Sequence, residues 1–90
     1  MYRIIYTESY FKKAQKFFKK QPGILKQYQK CLELLELNPE HPSLRLHKLS
    51  GKLNNLFSIS INISYRIIIE LLIIDGKIIL IDIGSHDDVY

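Results

Sequence analysis

The sequence holds a single cysteine, Cys31, among ninety residues. That excludes an internal disulfide framework and any paired-cysteine zinc knuckle. No uncharged apolar run approaches the roughly 20 residues that span a bilayer. The most apolar stretch, 63–83, is interrupted by Arg66, Glu70, Asp75, Lys77 and Asp82. The N-terminus has no basic segment followed by an apolar one, so a secretory leader is not expected. The expected location is cytoplasmic, with no membrane partner. Motifs that carry chemistry are equally scarce: there is no glycine-rich phosphate loop, no HExxH and no GxSxG. Asp82, Asp87 and Asp88 bring too few further oxygen ligands in order to hold a hard cation. Neither a metal nor a cofactor is therefore expected.

Acidic residues are sparse where basic ones gather. Residues 1–52 carry eleven Lys/Arg against four Asp/Glu, and residues 53–90 carry two against five. A basic half on so small a chain points to a polyanionic partner, nucleic acid or acidic protein. The same lysines would also serve simply to keep two amphipathic helices soluble. With 47% apolar residues and 24% charged ones, the composition is that of one small globular domain spanning 1–90. A chain of this length buries only about 60–65% of the surface its unfolded form exposes, which leaves a thin stability margin.

The chain opens with Tyr2-Arg3-Ile4-Ile5-Tyr6, a short run of β-formers that reads as an edge strand. Thr7 is placed to cap a helix, with Glu8 in its first turn where the dipole favours negative charge. Tyr10, Phe11, Ala14, Phe17 and Phe18 form a helical stripe, and the lysines fill the other faces. This stripe is expected to be core. Gln21-Pro22-Gly23 breaks the helix, and a second follows with Ile24, Leu25, Tyr28, Cys31, Leu32 and Leu35 on its apolar face until Asn38-Pro39. So short a connection makes the pair an antiparallel hairpin, with Cys31 buried and inert.

Residues 38–52 lose all periodicity and read as a long loop containing His41, Arg45, His47, Lys48 and Lys52. Beyond it the period becomes two. Phe57, Ile59 and Ile61 alternate with Ser58, Ser60 and Asn62, a turn follows near 62–64, and Tyr65–Ile74 reads as a central strand. Asp75-Gly76 signals a two-residue hairpin into a last strand over Lys77–Ile83. The expected fold is α+β, ordered β-α-α-β-β-β, with the helical hairpin on one face of a four-stranded, mostly antiparallel sheet. One parity of Tyr65–Ile74 would then leave Ile68, Leu72 and Ile74 beside Arg66 on an open face. A partner is expected to cover it.

One cluster suits metal-free cleavage of RNA, a reaction that needs a base, an acid and fixed positive charge at the phosphate. Arg66 offers a bidentate fork for phosphate, although pairing with Glu70 is the plainer role for an arginine on a strand. His86 titrates near neutrality and suits an acid or base, and Tyr90 offers a ring and a hydroxyl. His47, Lys48 and Lys52 add an imidazole and charge from the loop, with Arg45 a further phosphate-binding candidate. Ser85-His86-Asp87, adjacent in sequence, is not a triad signal.

Leu49-Ser50-Gly51-Lys52, Ser64-Tyr65-Arg66-Ile67-Ile68 and Ile83-Gly84-Ser85-His86-Asp87-Asp88-Val89-Tyr90, with the order of elements, resemble the RelE/ParE superfamily of type II toxin–antitoxin toxins. The closing Gly-Ser-His-x-x-x-aromatic is most similar to the YafQ branch of its mRNA interferases. The resemblance implies a small endoribonuclease that cuts mRNA on the ribosome without metal. Such toxins use the ribose 2′-hydroxyl as nucleophile, and a cognate antitoxin silences them. It implies that Arg66 binds phosphate, that His86 is an acid or base, that Tyr90 positions substrate, and that His47 matches a loop histidine. The chain departs from the pattern at Ser58 and Ser60, where the RelE branch has lysines and the YafQ branch an aspartate and a histidine. It departs again at Ser64, where YafQ has an aspartate. Serine supplies neither charge nor a general base, so either His47 and the loop lysines substitute or the nuclease is slow or inactive. The same superfamily contains ParE-like inhibitors of DNA gyrase, which are not nucleases, and a chain that only binds an antitoxin would also fit.

Overall fold

A computed structural model describes residues 1–49, 55–85 and Val89. Strand β1 (Arg3–Tyr6) leads into helix α1 (Glu8–Lys20), a 3₁₀ turn at Pro22–Ile24 and helix α2 (Leu25–Leu37). A second 3₁₀ turn, Pro42–Leu44, precedes β2 (His47–Lys48), and three longer strands follow: β3 (Leu56–Ser60), β4 (Tyr65–Leu72) and β5 (Lys77–Ser85). They form one five-stranded sheet in the order β1-β5-β4-β3-β2, parallel between β1 and β5 and antiparallel elsewhere. The α+β expectation holds.

Local chemistry explains the helix boundaries. The Thr7 hydroxyl accepts the Tyr10 N–H at 3.1 Å, satisfying one of the donors a helix start leaves bare. Pro22 cannot continue α1, and it opens a tight turn that reverses the chain into α2. At the far end Asn38 takes an extended conformation and its N–H closes on the Leu34 carbonyl at 2.7 Å.

The helices pack on one side of the sheet. Tyr10 and Ala14 of α1 and Cys31, Leu32 and Leu35 of α2 meet Ile59, Ile67, Ile69, Ile78 and Leu80 in a single core. Each fully buried isoleucine or leucine contributes about 1.5–3 kcal/mol of transfer free energy. Inside the core the Tyr10 and Tyr28 hydroxyls hydrogen-bond at 2.7 Å, so two polar groups satisfy each other. The Cys31 thiol donates to the Ser60 carbonyl at 3.6 Å, and burial pushes its pKa up to about 12, which leaves it unreactive near neutrality.

Four features differ from the sequence reading. The sheet has a fifth strand, because His47 and Lys48 pair with Ser58 and Phe57; two residues are too few to print a period-two pattern. Leu44 is buried and Leu46 packs on the core, so this part of the loop is anchored by its leucines. β4 stops at Leu72, and a four-residue turn, Ile73–Gly76, joins it to β5. Gly76 sits there at φ 64, a backbone conformation glycine adopts without steric cost, and its N–H closes the turn on Ile73. Phe11 is 55% exposed, since it lies about 100° round the helix from buried Tyr10.

The face away from the helices is also less apolar than expected. Ile68 is buried, lying in the central strand between Ser58 and Asp82 as cross-strand neighbours. Exposed isoleucines stand instead in the turns, Ile63 between β3 and β4 and Ile73 and Ile74 between β4 and β5, where Ile74 is fully exposed. A register shift opposite Ile68 and Ile69 leaves Ile81 as an extra residue in β5. Beyond it, past the end of β1, Asp82 meets Lys13 of α1 at 3.6 Å. Among the described residues, no helix is long and apolar enough to cross a membrane.

Candidate functional site

Arg66 occupies β4 one residue before the fully buried Ile67, so alternation directs it to the face the helices do not cover. The β3–β4 turn determines where its guanidinium goes. Asn62 Oδ1 accepts the N–H groups of Ser64 and Tyr65, each at 2.9 Å, folding the turn back on itself. That brings backbone carbonyls within reach of Arg66. Its Nη1 donates to the Asn62 carbonyl at 2.7 Å and to those of Ile63 and Tyr65 at 3.3 Å. The arginine therefore binds the turn rather than Glu70. Nε and Nη2 have no hydrogen-bond partner among the described residues, which leaves the edge of the guanidinium that grips two oxygens of one anion.

The register places other candidates around it. Arg66 lies between Ser60 and Gly84, and two residues along the strands the row on the same face reads His47, Ser58, Ile68, Asp82. His47 and Arg66 thus share one face. The His47 Nδ1 lies 3.1 Å from the Arg45 carbonyl, which can only accept. Nδ1 carries the proton, and Nε2 is the basic nitrogen of the neutral ring. Lys48 falls in the row of Phe57 and Ile69, on the opposite face, and does not join them.

The serines at the departures from the family pattern differ in kind. Ser58 is fully buried and its Oγ finds no hydrogen-bond partner among the described residues. Ser60 is buried, with its carbonyl taken by Cys31, whereas Ser64 is exposed in the turn. No pattern in the sequence announces Asn62 as the residue that fixes Arg66, although an asparagine three residues before a strand is a recognisable turn former. Arg45 stands apart from this face and lines a cavity between α2 and the β3–β4 turn. His86, Tyr90 and Lys52 lie outside the described residues. Among the described residues, no group of three or more His, Cys, Asp or Glu is placed to hold a metal ion.

A second surface lies along α1. A groove of about 1040 Å³ has Tyr6, Tyr10, Phe11, Phe18 and Tyr28 along it, with Lys12, Lys16 and Lys19 beside them. Tyr6 and Phe11 are more than half exposed.

No protein-family model matches the sequence, and no curated protein matches it. Solved structures do. YafQ in the DinJ–YafQ toxin–antitoxin complex of E. coli superposes with a TM-score of 0.80 at 19% identity, covering 99% of this chain and 97% of that one. A metal-bound toxin from Helicobacter pylori gives 0.80 at 21% identity over the whole of both chains. A chain of the YoeB–YefM complex from Staphylococcus aureus gives 0.72 at 18% identity, covering 96% of this chain and 98% of that one. The chain has the RelE-like fold. Within that fold, Arg66 stands on the central strand of the sheet, and His47 is carried by the two-residue strand at its edge.

Proposed function

We propose that this protein is the toxin of a type II toxin–antitoxin pair and acts as a metal-free, ribosome-dependent mRNA endoribonuclease. The observation that carries the reading is Arg66, held by three backbone carbonyls with Nε and Nη2 unused among the described residues, on the same sheet face as His47. The RelE-like fold supports it, because chains of that fold occur in the DinJ–YafQ and YoeB–YefM complexes.

In this reading a base withdraws the proton from the ribose 2′-hydroxyl, whose oxygen attacks the adjacent phosphorus. The P–O5′ bond then breaks, an acid protonates the leaving 5′-oxygen, and a 2′,3′-cyclic phosphate remains. Arg66 stabilises the charge that builds on the non-bridging oxygens, the term that gains most from a preorganised donor. His86 is the general acid or base and Tyr90 positions the substrate. His47 is a second imidazole, and Lys52 and Arg45 supply positive charge to the RNA path, whereas Lys48 faces the other side of the sheet. The antitoxin is the cytoplasmic partner. The groove beside α1, aromatic in its floor and lysine-lined at its rim, supports an acidic, amphipathic segment of that partner.

Arg66→Ala and His86→Ala, expressed separately, should each relieve growth arrest while the circular dichroism spectrum is unchanged, and the wild type should cut mRNA in frame. Full toxicity of both variants would remove the site assignment. The buried, neutral Ser58 favours a second reading, a ParE-like gyrase inhibitor, since it supplies no acid or base. Supercoiling defects and DNA damage ahead of any arrest of translation would select that reading.

A further inference from the structure

A cavity of about 370 Å³ lies between α2, the Pro42–Leu44 turn and the β3–β4 turn, and the site above leaves it unused. Two cations line it, Lys30 and Arg45, with the neutral Gln27 and Ser43 and the apolar Leu34 and Leu44; no carboxylate is among the described lining residues. The set suits an anion attached to an apolar body.

Arg45 argues that the charge is placed rather than incidental. It stands at φ 50, ψ 46, the left-handed conformation that glycine or asparagine adopts more readily. Its N–H closes the turn on the Pro42 carbonyl at 3.2 Å, and its own carbonyl takes the His47 proton. An arginine in a strained position that borders a cavity is a reason to look for function there. The cavity also adjoins the candidate site, because Asn62 and Ile63, which line it, are the residues whose carbonyls hold Arg66.

We infer that this cavity is a nucleotide subsite, in which Lys30 and Arg45 hold the phosphate of one nucleotide and Leu34 and the exposed Ile63 receive its base. The inference rests on the nuclease reading for its source, RNA flanking the scissile bond, while the chemistry it requires is that of any nucleoside phosphate. Single-stranded RNA is bound in this way, through backbone charge and bases received against side chains.

The test uses the whole protein with a 2′-O-methylated tetranucleotide, which cannot be cleaved through its 2′-oxygen, alongside AMP and inorganic phosphate. Arg45→Gly removes the guanidinium while relieving the backbone, and Lys30→Gln changes an exposed helix position, so both variants should fold. Each should weaken oligonucleotide binding about tenfold. Each should also make the slope of log affinity against log salt shallower by about 0.7, the value for one phosphate contact on a single strand. Wild-type affinity in both variants would overturn the subsite. Tighter binding of AMP than of the tetranucleotide would overturn RNA as its source. The two readings separate: if Arg66→Ala abolishes cleavage while Arg45→Gly and Lys30→Gln bind normally, the subsite fails and the nuclease stands. If the wild type leaves mRNA uncut but the Arg45-dependent binding persists, the nuclease reading fails and the subsite stands.

Discussion

Asn62 holds Arg66 through its backbone carbonyl at 2.7 Å while its side chain folds the turn that presents that carbonyl. One residue therefore orders both the β3–β4 turn and the guanidinium. A long side chain on an open sheet face would otherwise sample many rotamers, and fixing it in advance lowers the entropy of gripping a phosphate.

Asn62→Ala deletes both side-chain hydrogen bonds of the turn. The expected cost is about 1–2 kcal/mol in urea denaturation, with toxicity reduced toward that of Arg66→Ala. Asn62→Asp keeps the acceptor oxygen and should restore most of the stability. Equal losses in the two variants would show that the acceptor is not what the turn uses.

Ser58 presents the opposite situation, a buried hydroxyl left without a partner among the described residues. A buried polar group in that state costs roughly 1–3 kcal/mol. Ser58→Ala should therefore leave the urea midpoint unchanged or raise it. A marked destabilisation would mean that the hydroxyl is satisfied in solution.

The paired tyrosines make stability depend on alkaline pH. Burial, opposed by the hydrogen bond from Tyr10, pushes the Tyr28 hydroxyl up to about 12, and burial raises Tyr10 well above its ordinary value of 10. The folded state keeps protons that the unfolded chain releases near pH 10, so it binds more protons above that point. The pair's contribution is complete below pH 10 and is lost as the pH rises toward 12 and beyond. Urea midpoints at pH 8, 10 and 11 should fall at the alkaline end. Tyr28→Phe should lower the midpoint at pH 8 and fall less steeply above pH 10. Parallel curves for wild type and variant would exclude the pair as the cause.

Much of this fold is written in periodicity. The stripe through Tyr10 and Ala14 places α1 because burial acts on one face of a helix, and the Ser58-Ile59-Ser60 alternation places β3 although all three residues are buried. The edge strand at His47 escapes that logic, since a two-residue strand has no face to repeat. Phe11 shows the limit of the stripe itself, which marks an apolar sector wider than the core can cover. Of the site, Arg66 is visible as the charged residue on an apolar strand. The direction its guanidinium takes is not, because a rotamer held by three carbonyls depends on a turn geometry that composition does not encode. Arg45 is hidden for the same reason: nothing about an arginine in a loop declares a positive φ.

The parallel pairing of β1 with β5 joins Arg3 to Lys77, so the first strand finds its place only against the last. The β3–β4–β5 meander needs only short closures, whereas seating β1 requires nearly the whole chain to be looped. Loop-closure entropy therefore favours assembly with the meander first and the β1 edge last. Because synthesis runs from the N-terminus, β1 has no β5 to pair with until the last strand has been made. The two edge strands, β1 paired along one side by four residues and β2 by two, are the parts of the sheet that should reopen first in the finished protein.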